Sequence, residues 1–339
     1  MTSVKEFRVS TPATPTELGT GAFVFTDAYS VFDWGRMPDP IPSKGAALCT
    51  MSAKTFELLE EAGVPTHYNG LEVDETVLGL SELDAPHDRM AIDLTQVPTL
   101  TPDGHRYDYQ AYHSAAGDNY LIPLEIIFRN QVPRGSSLRT RKRPAEVGLE
   151  TDRWPSESVE LPTPVVEFSS KFEQSDRYLD REEAGRIAGL ADIEQLESIA
   201  RRVNELISAH AARTGLEHAD GKIECLYVDG SVRVADTAGT LDENRFLSAD
   251  VQLSKEALRQ YHKREQSAWV AAVAEAKQDG TAEGIVDWRE QCALDPEPLP
   301  TAVIETVSDL YTAVANSYVG AQLFDTPSLE EAVESVASL

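Results

Sequence analysis

The chain has 339 residues, of which 57 are acidic and 30 are basic, so its formal net charge is −27. This charge argues against nucleic acid or an anionic membrane surface as a partner, because both would repel it. Forty-one per cent of the residues are apolar, which is enough for a core, and the length predicts roughly two lobes or domains. Any phosphate-bearing ligand must be held by local positive charge against the overall field.

Cysteine usage and the lack of an apolar span indicate a cytoplasmic protein. Cys49, Cys225 and Cys292 are too few and too scattered for a disulfide framework or a structural zinc site. No run approaches the ~18–20 apolar residues of a membrane span, and the N-terminus lacks a basic region followed by an apolar one. Only nine of the 30 basic residues are lysine. Acids in place of lysine are typical of adaptation to a salty cytoplasm, where screening relieves their repulsion.

The first third of the chain predicts two strands, a polar loop and a helix. Strand-like runs cover residues 4–9 and 21–26, and helical periodicity extends over 46–62 to a stop at Gly63. Residues 101–119 match neither period and are interpreted as a surface insertion. The nearby histidines are interpreted as surface or loop residues without metal-ligand spacing: His67, His87, His105 and His113.

An apolar strand over residues 120–129 carries two charges, Glu125 and Arg129, and leads to the only concentrated positive patch, residues 139–143. Between them, Gly135 is followed by two serines. A glycine with adjacent hydroxyls can bind a phosphate through backbone N–H groups, aided by Arg129. The alternative is an ordinary solvated loop.

Helical spacing and capping residues predict a helical C-terminal third. The predicted helices cover 181–190, 192–214, 254–277 with Ser254 as N-cap, 301–318, and a last helix that begins at Thr326-Pro327.

Residues 222–236 read as a β-hairpin with one acid at the far end of each strand, Glu224 and Asp236. A two-residue loop would place the two acids on opposite faces. A three-residue loop over 228–230, with Gly230 left-handed, would place them on one face. On one face, the two carboxylates would need a compensating cation, for which Mg²⁺ is the natural candidate. The alternative is a surface hairpin with solvated acids.

Several motifs occur in a fixed order along the chain. They are an Asp-x-x-Ser-x-x-Asp loop at 27–33, Ile-Pro-Ser-Lys-Gly at 41–45, Pro-Leu-Glu-Ile-Ile-Phe-Arg at 123–129 with Gly-Ser at 135–136, a Lys…Asp pair at 171 and 176, and the hairpin acids followed by Arg245. In this order they resemble the SAICAR synthetase family of purine biosynthesis over most of residues 1–320. We expect a halophilic archaeal source.

The resemblance implies an α+β fold with a smaller β-rich N-terminal lobe (1–122), a larger C-terminal lobe (123–339) and an ATP cleft between them. It implies an ATP-dependent ligase that joins L-aspartate to carboxyaminoimidazole ribotide, with ATP and Mg²⁺ as cofactors. The reaction would pass through an acyl phosphate, which makes a poor acyl donor reactive towards the aspartate amine. The resemblance leaves open whether the protein forms a homo-oligomer.

The resemblance also implies roles for individual residues. Lys5 would contact the nucleotide phosphates, Leu124 and Glu125 would lie on the strand lining the adenine pocket, and Glu224 and Asp236 would hold Mg²⁺. This metal role requires the two acids to face one cleft, so we predict the odd-length loop for the hairpin. The ribotide phosphate would be bound by Arg129, Ser136 and Arg245. Catalytic contacts with the ribotide and its carboxylate would come from Lys171, Asp176 and Lys222. The loops near the reacting carboxylate and the incoming aspartate would be shaped by Asp33, Lys44 and Gly45.

Two departures from the family pattern affect these assignments. The opening Thr2-Ser3-Val4-Lys5 keeps only the second of two expected basic residues, and the loop before Gly135 is one residue longer than in some relatives, so Ser137 can take the role given to Ser136. The functional alternatives are another ATP-using ligase or small-molecule kinase, or a non-catalytic acidic binding protein.

Overall fold

The computed structural model describes residues 5–74, 76–103, 106–173, 177–283 and 288–339. The N-terminal part of the chain forms a five-stranded antiparallel sheet in the order β1-β2-β5-β3-β4. Its strands are β1 (Lys5–Thr11), β2 (Gly19–Phe25), β3 (Tyr68–Val73), β4 (Thr76–Leu78) and β5 (Arg89–Leu94). The first two strands confirm the predicted runs, each within two residues of the expected ends.

Helix α1 (Lys44–Glu61) packs its apolar side chains against this sheet in the main core. The predicted helix is confirmed, but it begins two residues earlier than its periodicity indicated. Ser43 precedes it with φ of 62°, and the Asp27 carboxylate accepts hydrogen bonds from the backbone N–H groups of Ser43 (3.3 Å) and Gly45 (3.0 Å). An acid at a helix N-terminus satisfies free N–H groups there, which explains the early start.

The segment interpreted as a surface insertion is partly a packed element. It contains the two-residue strands β6 (Pro102–Asp103) and β7 (Arg106–Tyr107), and helix α2 (Tyr109–Ala116). Tyr112 of α2 is buried, and its hydroxyl donates to the backbone carbonyl of Leu121 at 2.7 Å. The interpretation as a surface insertion was therefore wrong for α2, which anchors the chain entering the next strand.

A second antiparallel sheet forms the centre of the rest of the molecule, in the order β11-β10-β9-β12-β14-β15. Its long strand β12 also pairs, through its second half, with β8 and β13. The strands are β8 (Asn119–Leu121), β9 (Leu124–Val132), β10 (Val159–Ser170), β11 (Tyr178–Leu179), β12 (Glu217–Val228), β13 (Ser231–Ala235), β14 (Asn244–Ser248) and β15 (Val251–Gln252). The chain thus has the α+β, two-lobed arrangement that was expected, with one sheet in each lobe. The boundary at 122/123 falls between β8 and β9, and it stays a prediction.

Further helices pack on the second sheet or on one another. They are α3 (Leu138–Arg141), α4 (Arg181–Ala188), α5 (Ile193–Arg213), α6 (Glu256–Glu265), α7 (Ser267–Glu283), α8 (Thr301–Val319) and α9 (Leu329–Ala337), with 3₁₀ turns at Leu80–Glu82, Pro144–Val147 and Trp288–Gln291. The predictions of α4, α5 and α8 are confirmed. None of the helices described here is both long and apolar enough to cross a membrane.

Two helix predictions needed correction. The helix expected over 254–277 is interrupted at Gln266, between α6 and α7. The side-chain N–H of Gln266 donates to the backbone carbonyl of Glu297, and its side-chain oxygen accepts from the Glu297 N–H. The last helix begins at Leu329 rather than at Thr326-Pro327. Its cap is Ser328, which forms a reciprocal capping box with Glu331. A distant segment thus interrupts the first helix, whereas local capping residues set the start of the last one.

His67 is not a surface residue, contrary to the prediction. It is buried, with Nε2 3.2 Å from the backbone carbonyl oxygen of Asp236. His218, on β12, is buried between Ser208 and Asn244. Burial lowers the pKa of each imidazole to about 4.

These histidines predict a pH-dependent stability. Each has a folded-state pKa below its ordinary unfolded value of about 6.5, so the unfolded chain takes up protons first as the pH falls from 6.5 towards 4. Stability should be complete above pH 6.5 and fall by about 1.4 kcal/mol per pH unit for each histidine below it. Urea unfolding at pH 7, 6 and 5 measures this slope. A His218→Asn variant should lose the share of one histidine, about 1.4 kcal/mol per pH unit, and a flat profile would contradict the assignment.

Candidate functional site

A cleft of about 1070 Å³ opens over the second sheet, and β9, β12, β14 and α6 contribute its walls. It brings together six residues that were predicted for the site from distant parts of the sequence: Asp33, Glu125, Arg129, Ser136, Lys222 and Arg245. Nine arginines and lysines line it against six acids, in a chain with 30 basic and 57 acidic residues. The cleft is therefore suited to anionic ligands.

An arginine–carboxylate cluster lies at one side of the cleft: Arg129, Arg141, Glu167, Asp220 and Arg245. Arg129, Asp220 and Arg245 line the cleft itself. Strand register creates the cluster, since Asp220 on β12 is directly opposite Arg129 on β9 and Arg245 on β14. Asp220 accepts hydrogen bonds from Arg129 Nη1 (3.0 Å) and from Arg245 Nε and Nη2 (2.8 and 2.6 Å). One carboxylate thus orients two guanidinium groups.

Glu167 completes this cluster from β10. It accepts from Arg129 Nε at 2.9 Å and from both terminal nitrogens of Arg141, at 2.6 and 3.1 Å. Arg129 is only 4% exposed. Burial alone would lower its pKa and raise that of Glu167, but the opposite charges outweigh burial and shift both pKa values the other way. Arg245, with a side chain 31% exposed, is the cluster member that offers its remaining donors to the cleft.

The loop after β9 is held by its own basic residues. Arg139 donates to the backbone carbonyls of Val132 and Pro133 at 2.9 and 2.8 Å. Ser136 is buried, and its Oγ accepts from the Leu138 N–H at 3.3 Å, whereas Ser137 Oγ lies 3.4 Å from the Tyr178 hydroxyl, which also bonds Arg129. Part of the basic run is therefore structural, and both serines line the cleft.

A lysine–carboxylate cluster lies beside the first: Lys5, Glu125, Lys171, Lys222, Glu224, Asp236 and Glu243. Lys222 is its centre, with Nζ 2.9 Å from Glu125, 3.3 Å from Glu224 and 3.2 Å from Glu243. Lys171 reaches Glu224 at 2.6 Å, and Lys5 pairs with Asp236. Three lysines from three separated strand regions thus converge on the predicted acid pair.

The predicted loop of the hairpin was wrong. Val228 pairs with Ser231 and Glu224 with Ala235, so the loop is the two-residue Asp229-Gly230, both with positive φ. The two acids nevertheless interact. β13 ends at Ala235, and Asp236 takes φ of 65°, which interrupts the strand alternation on which the prediction depended. Neither Glu224 nor Asp236 lines the cleft itself, and Lys222 connects Glu224 to it.

Electrostatics of this acid pair are asymmetric. Burial and the charge of Asp236 raise the pKa of Glu224 against the opposing lysines. Burial would also raise the pKa of Asp236, but Lys5, Lys222 and Lys171 outweigh it and hold that pKa well below its usual range. Among the described residues no group of three or more His, Cys, Asp or Glu is placed to hold a metal ion. A cation here would have two protein carboxylates and would need further oxygen ligands.

Lys44 does not face the cleft. Its side chain is fully buried, with Nζ 2.7 Å from Asp242, which also accepts from the Tyr311 hydroxyl at 2.8 Å. Gly45 is required by space, since a Cβ there would lie 2.7 Å from the carbonyl oxygen of Phe25. These two residues therefore support the wall that carries Asp242, which does line the cleft.

The remaining predicted residues differ in position. Asp33 lines the cleft with φ of 57° and pairs with Lys277 of α7. Leu124 is fully buried in the main core. Asp176 lies outside the described residues.

Asp220 and Glu167 were missed from the sequence. A signal for Asp220 was present, because Asp220, Lys222 and Glu224 alternate with small or apolar residues and so share one face of a strand. Glu167 has no comparable signal, since its partner Arg129 is 38 residues away and only the pairing of β9 with β10 brings them together.

Fold and cleft together define the class: an α+β protein whose second sheet carries a cleft of net positive charge, suited to small anionic ligands such as phosphates. Residues 14–276 match the model of the SAICAR synthetase family. The chain belongs to the SAICAR synthetase family.

Curated relatives agree with this assignment. The phosphoribosylaminoimidazole-succinocarboxamide synthase of Thermoplasma acidophilum is 30% identical over 314 residues, which cover 89% of this chain and 93% of that protein. A relative from Archaeoglobus fulgidus, provisionally named as the same synthase, is 40% identical over 326 residues, covering 94% and 93% of the two chains.

Solved structures share the fold. A SAICAR synthase from Saccharomyces cerevisiae, complexed with SAICAR, has a TM-score of 0.59 at 18% identity and covers 93% of this chain and 96% of its own. A SAICAR synthetase in complex with ADP has a TM-score of 0.55 at 24% identity, covering 76% and 88%.

Proposed function

We propose that the cleft joins L-aspartate to carboxyaminoimidazole ribotide, with ATP converted to ADP and phosphate, and so forms SAICAR in purine biosynthesis. The chain is an ATP-dependent carbon–nitrogen ligase of this family. The observation that carries the proposal is one cleft of net positive charge in a strongly acidic chain, lined by Arg129 and Arg245 of one cluster and by Lys222, the centre of the other.

The chemistry suits such a cleft. A carboxylate is a poor acyl donor, and phosphoryl transfer onto the ribotide carboxylate makes an acyl phosphate. The aspartate amine attacks the acyl carbon, the C–N bond forms, and phosphate leaves with the C–O bond electrons while the amine loses a proton. The protein's task is to position three substrates and to stabilise phosphate charge.

In this proposal the nucleotide lies at the lysine–carboxylate cluster. Lys5 contacts the phosphates, and the strand that includes Leu124 and Glu125 borders the adenine pocket. Lys5, Lys171 and Lys222 already compensate the acid pair. The ADP-bound structure of the same fold supports a nucleotide site in this family.

The donor set of this cluster fits Mg²⁺. Glu224 and Asp236 supply two carboxylates, and Mg²⁺ is commonly held by one or two carboxylates with phosphate oxygens and waters completing its shell. When bound, the ion would neutralise phosphate charge during transfer.

The ribotide lies at the arginine–carboxylate cluster. Arg245 and Arg129 with Ser136 hold its phosphate, and Ser137 offers a second hydroxyl at the same place. Lys171, Lys222 and Asp176 contact the ribotide carboxylate side, while Asp33 lines the opening and Lys44 and Gly45 hold the adjacent wall. The enzyme is further proposed to be a cytoplasmic protein of a halophilic archaeon, without nucleic-acid partners. Its two lobes would be residues 1–122 and 123–339. Whether it forms a homo-oligomer is a question for a measurement of its mass in solution.

An ADP-release assay in high salt tests the function. Turnover should require ATP, the carboxylated ribotide, L-aspartate and Mg²⁺ together, with SAICAR formed in step with ADP. ADP formation that needs the ribotide and ignores aspartate would identify a kinase instead. No turnover across a range of salt concentrations would favour a binding protein.

A further inference from the structure

Residues 241–245 form one continuous wall of the cleft, because all five of them line it. They belong to the connection from β13 to β14, which begins at Asp236 of the lysine–carboxylate cluster and reaches Arg245 of the arginine–carboxylate cluster. Residues 237–241 of this connection are buried. One segment thus links the two clusters, and its position depends on what packs behind it.

Asp242 is the polar anchor of this wall. Lys44 donates to its Oδ2 at 2.7 Å, and the Tyr311 hydroxyl donates to its Oδ1 at 2.8 Å. Both donors belong to fully buried residues. Burial and the charge of Asp242 raise the pKa of Tyr311, so the hydroxyl keeps its proton and remains a donor. Each carboxylate oxygen is therefore held by a different donor, and together they fix the orientation of the carboxylate.

Tyr311 comes from a part of the chain beyond the family match. It lies on α8, whereas the match to the family model ends at residue 276. Helix α8 packs against α1, which begins at Lys44, and against α9, whose Val336 and Ala337 line the cleft. Helices α8 and α9 thus reach the cleft in two ways, from behind the wall through Tyr311 and at the cleft surface through α9.

We propose that Tyr311 is a positioning residue for ribotide binding. It fixes Asp242, which directly precedes Glu243, the partner of Lys222 at 3.2 Å. Asp242 also lies three residues before Arg245, which offers its remaining donors to the cleft. A small displacement of the wall would misalign those donors, and hydrogen bonds weaken steeply when their geometry is lost. The inference rests on the proposed function for the identity of the ligand, and it adds α8 to the residues that shape the site.

Tyr311→Phe tests this role, with Tyr318→Phe as the matched control. Both tyrosines are fully buried on α8, but the Tyr318 hydroxyl lies 3.0 Å from Thr55 Oγ1 and bonds no acid of the cleft wall. Each variant removes one hydroxyl and keeps the ring. Both should lower the urea midpoint, Tyr311→Phe by more, because its bond is to a charged group. Only Tyr311→Phe should raise the KM for the ribotide, about five- to tenfold, with kcat and the KM for ATP within about twofold of wild type.

Calorimetric titration of the ribotide without ATP gives a second measurement that does not depend on turnover. The dissociation constant should rise by the same factor in Tyr311→Phe and stay unchanged in Tyr318→Phe. Should Tyr311→Phe not fold, Asp242→Asn carries the same test, because it keeps the volume of the side chain and removes one of the two acceptor oxygens.

The outcomes separate this inference from the proposed function. Wild-type ribotide binding in Tyr311→Phe, or an equal loss in both tyrosine variants, would overturn the positioning role and leave the ligase function standing. A rise in the KM for ATP with unchanged ribotide binding would overturn it as well, because the wall would then serve the nucleotide. If the wild-type protein neither binds nor turns over the ribotide, the proposed function fails together with the inference.

Discussion

Asp220→Asn is expected to damage both stability and ribotide use more than any other single change at the cleft. Asp220 is buried and accepts from Arg129 and Arg245 together. Removing its charge leaves Arg129 with Glu167 and takes away the acid that Arg245 contacts, and breaking such a buried pair costs about 3–5 kcal/mol. The kcat/KM for the ribotide should fall about 10²-fold or more, because both anion-binding groups lose their orientation.

The matched control for this variant is Glu217→Gln, an exposed acid on the same strand that bonds Gln131. It should shift the urea midpoint little and leave the kinetics unchanged. Chemical denaturation and substrate-varied kinetics on the two variants measure both effects. An Asp220→Asn protein with wild-type ribotide kinetics would show that the arginine–carboxylate cluster is only structural.

Glu224→Gln is expected to lower kcat/KM for ATP about 10²–10³-fold. Glu224 is contacted by Lys171 and Lys222 and interacts with Asp236, so its loss removes half of the proposed metal-binding acid pair. The amide keeps the volume of the side chain, so the protein should remain folded. The Mg²⁺ concentration needed for half-maximal activity should rise in the variant.

Asp229→Asn serves as the control, since it removes an acid from the same hairpin at its exposed turn. Asp229 has φ of 44°, a conformation that asparagine tolerates well, so neither folding nor kinetics should change. Activity titrated with Mg²⁺ at fixed ATP gives the comparison. Equal Mg²⁺ dependence in the Glu224→Gln and wild-type enzymes would remove the support for a metal at this pair.

The scarcity of lysine proved a useful guide. Lys5, Lys171 and Lys222 meet at the acid pair, and Lys255, Lys263 and Lys277 line the cleft. In a chain with nine lysines, this concentration marks where an ammonium group is required. Lys44 shows the limit of that reasoning, because its partner Asp242 lies 198 residues away and makes it a buried support for the cleft wall.

Local sequence determined the regular elements and the order of the family motifs. Helices such as α5 and α8 follow from apolar residues at helical spacing, which is a property of neighbours along the chain. Turn residues likewise predicted the hairpin at Asp229-Gly230, although its loop has two residues and not the three that were predicted. The motif residues then indicated the kind of ligands before any contact was known.

Tertiary structure alone decided how those elements meet. A two-residue loop places Glu224 and Asp236 on opposite faces if side chains alternate along both strands, but the left-handed backbone of Asp236 brings its carboxylate near Glu224. Asp236 also contacts Lys5 and His67, which belong to the N-terminal part of the chain. The pairing of β12 with β9 and β14 placed Asp220 between two arginines, and Gln266 broke a continuous helical pattern through its bonds to Glu297. Each of these outcomes depends on partners far apart in sequence, whose distances no local pattern encodes.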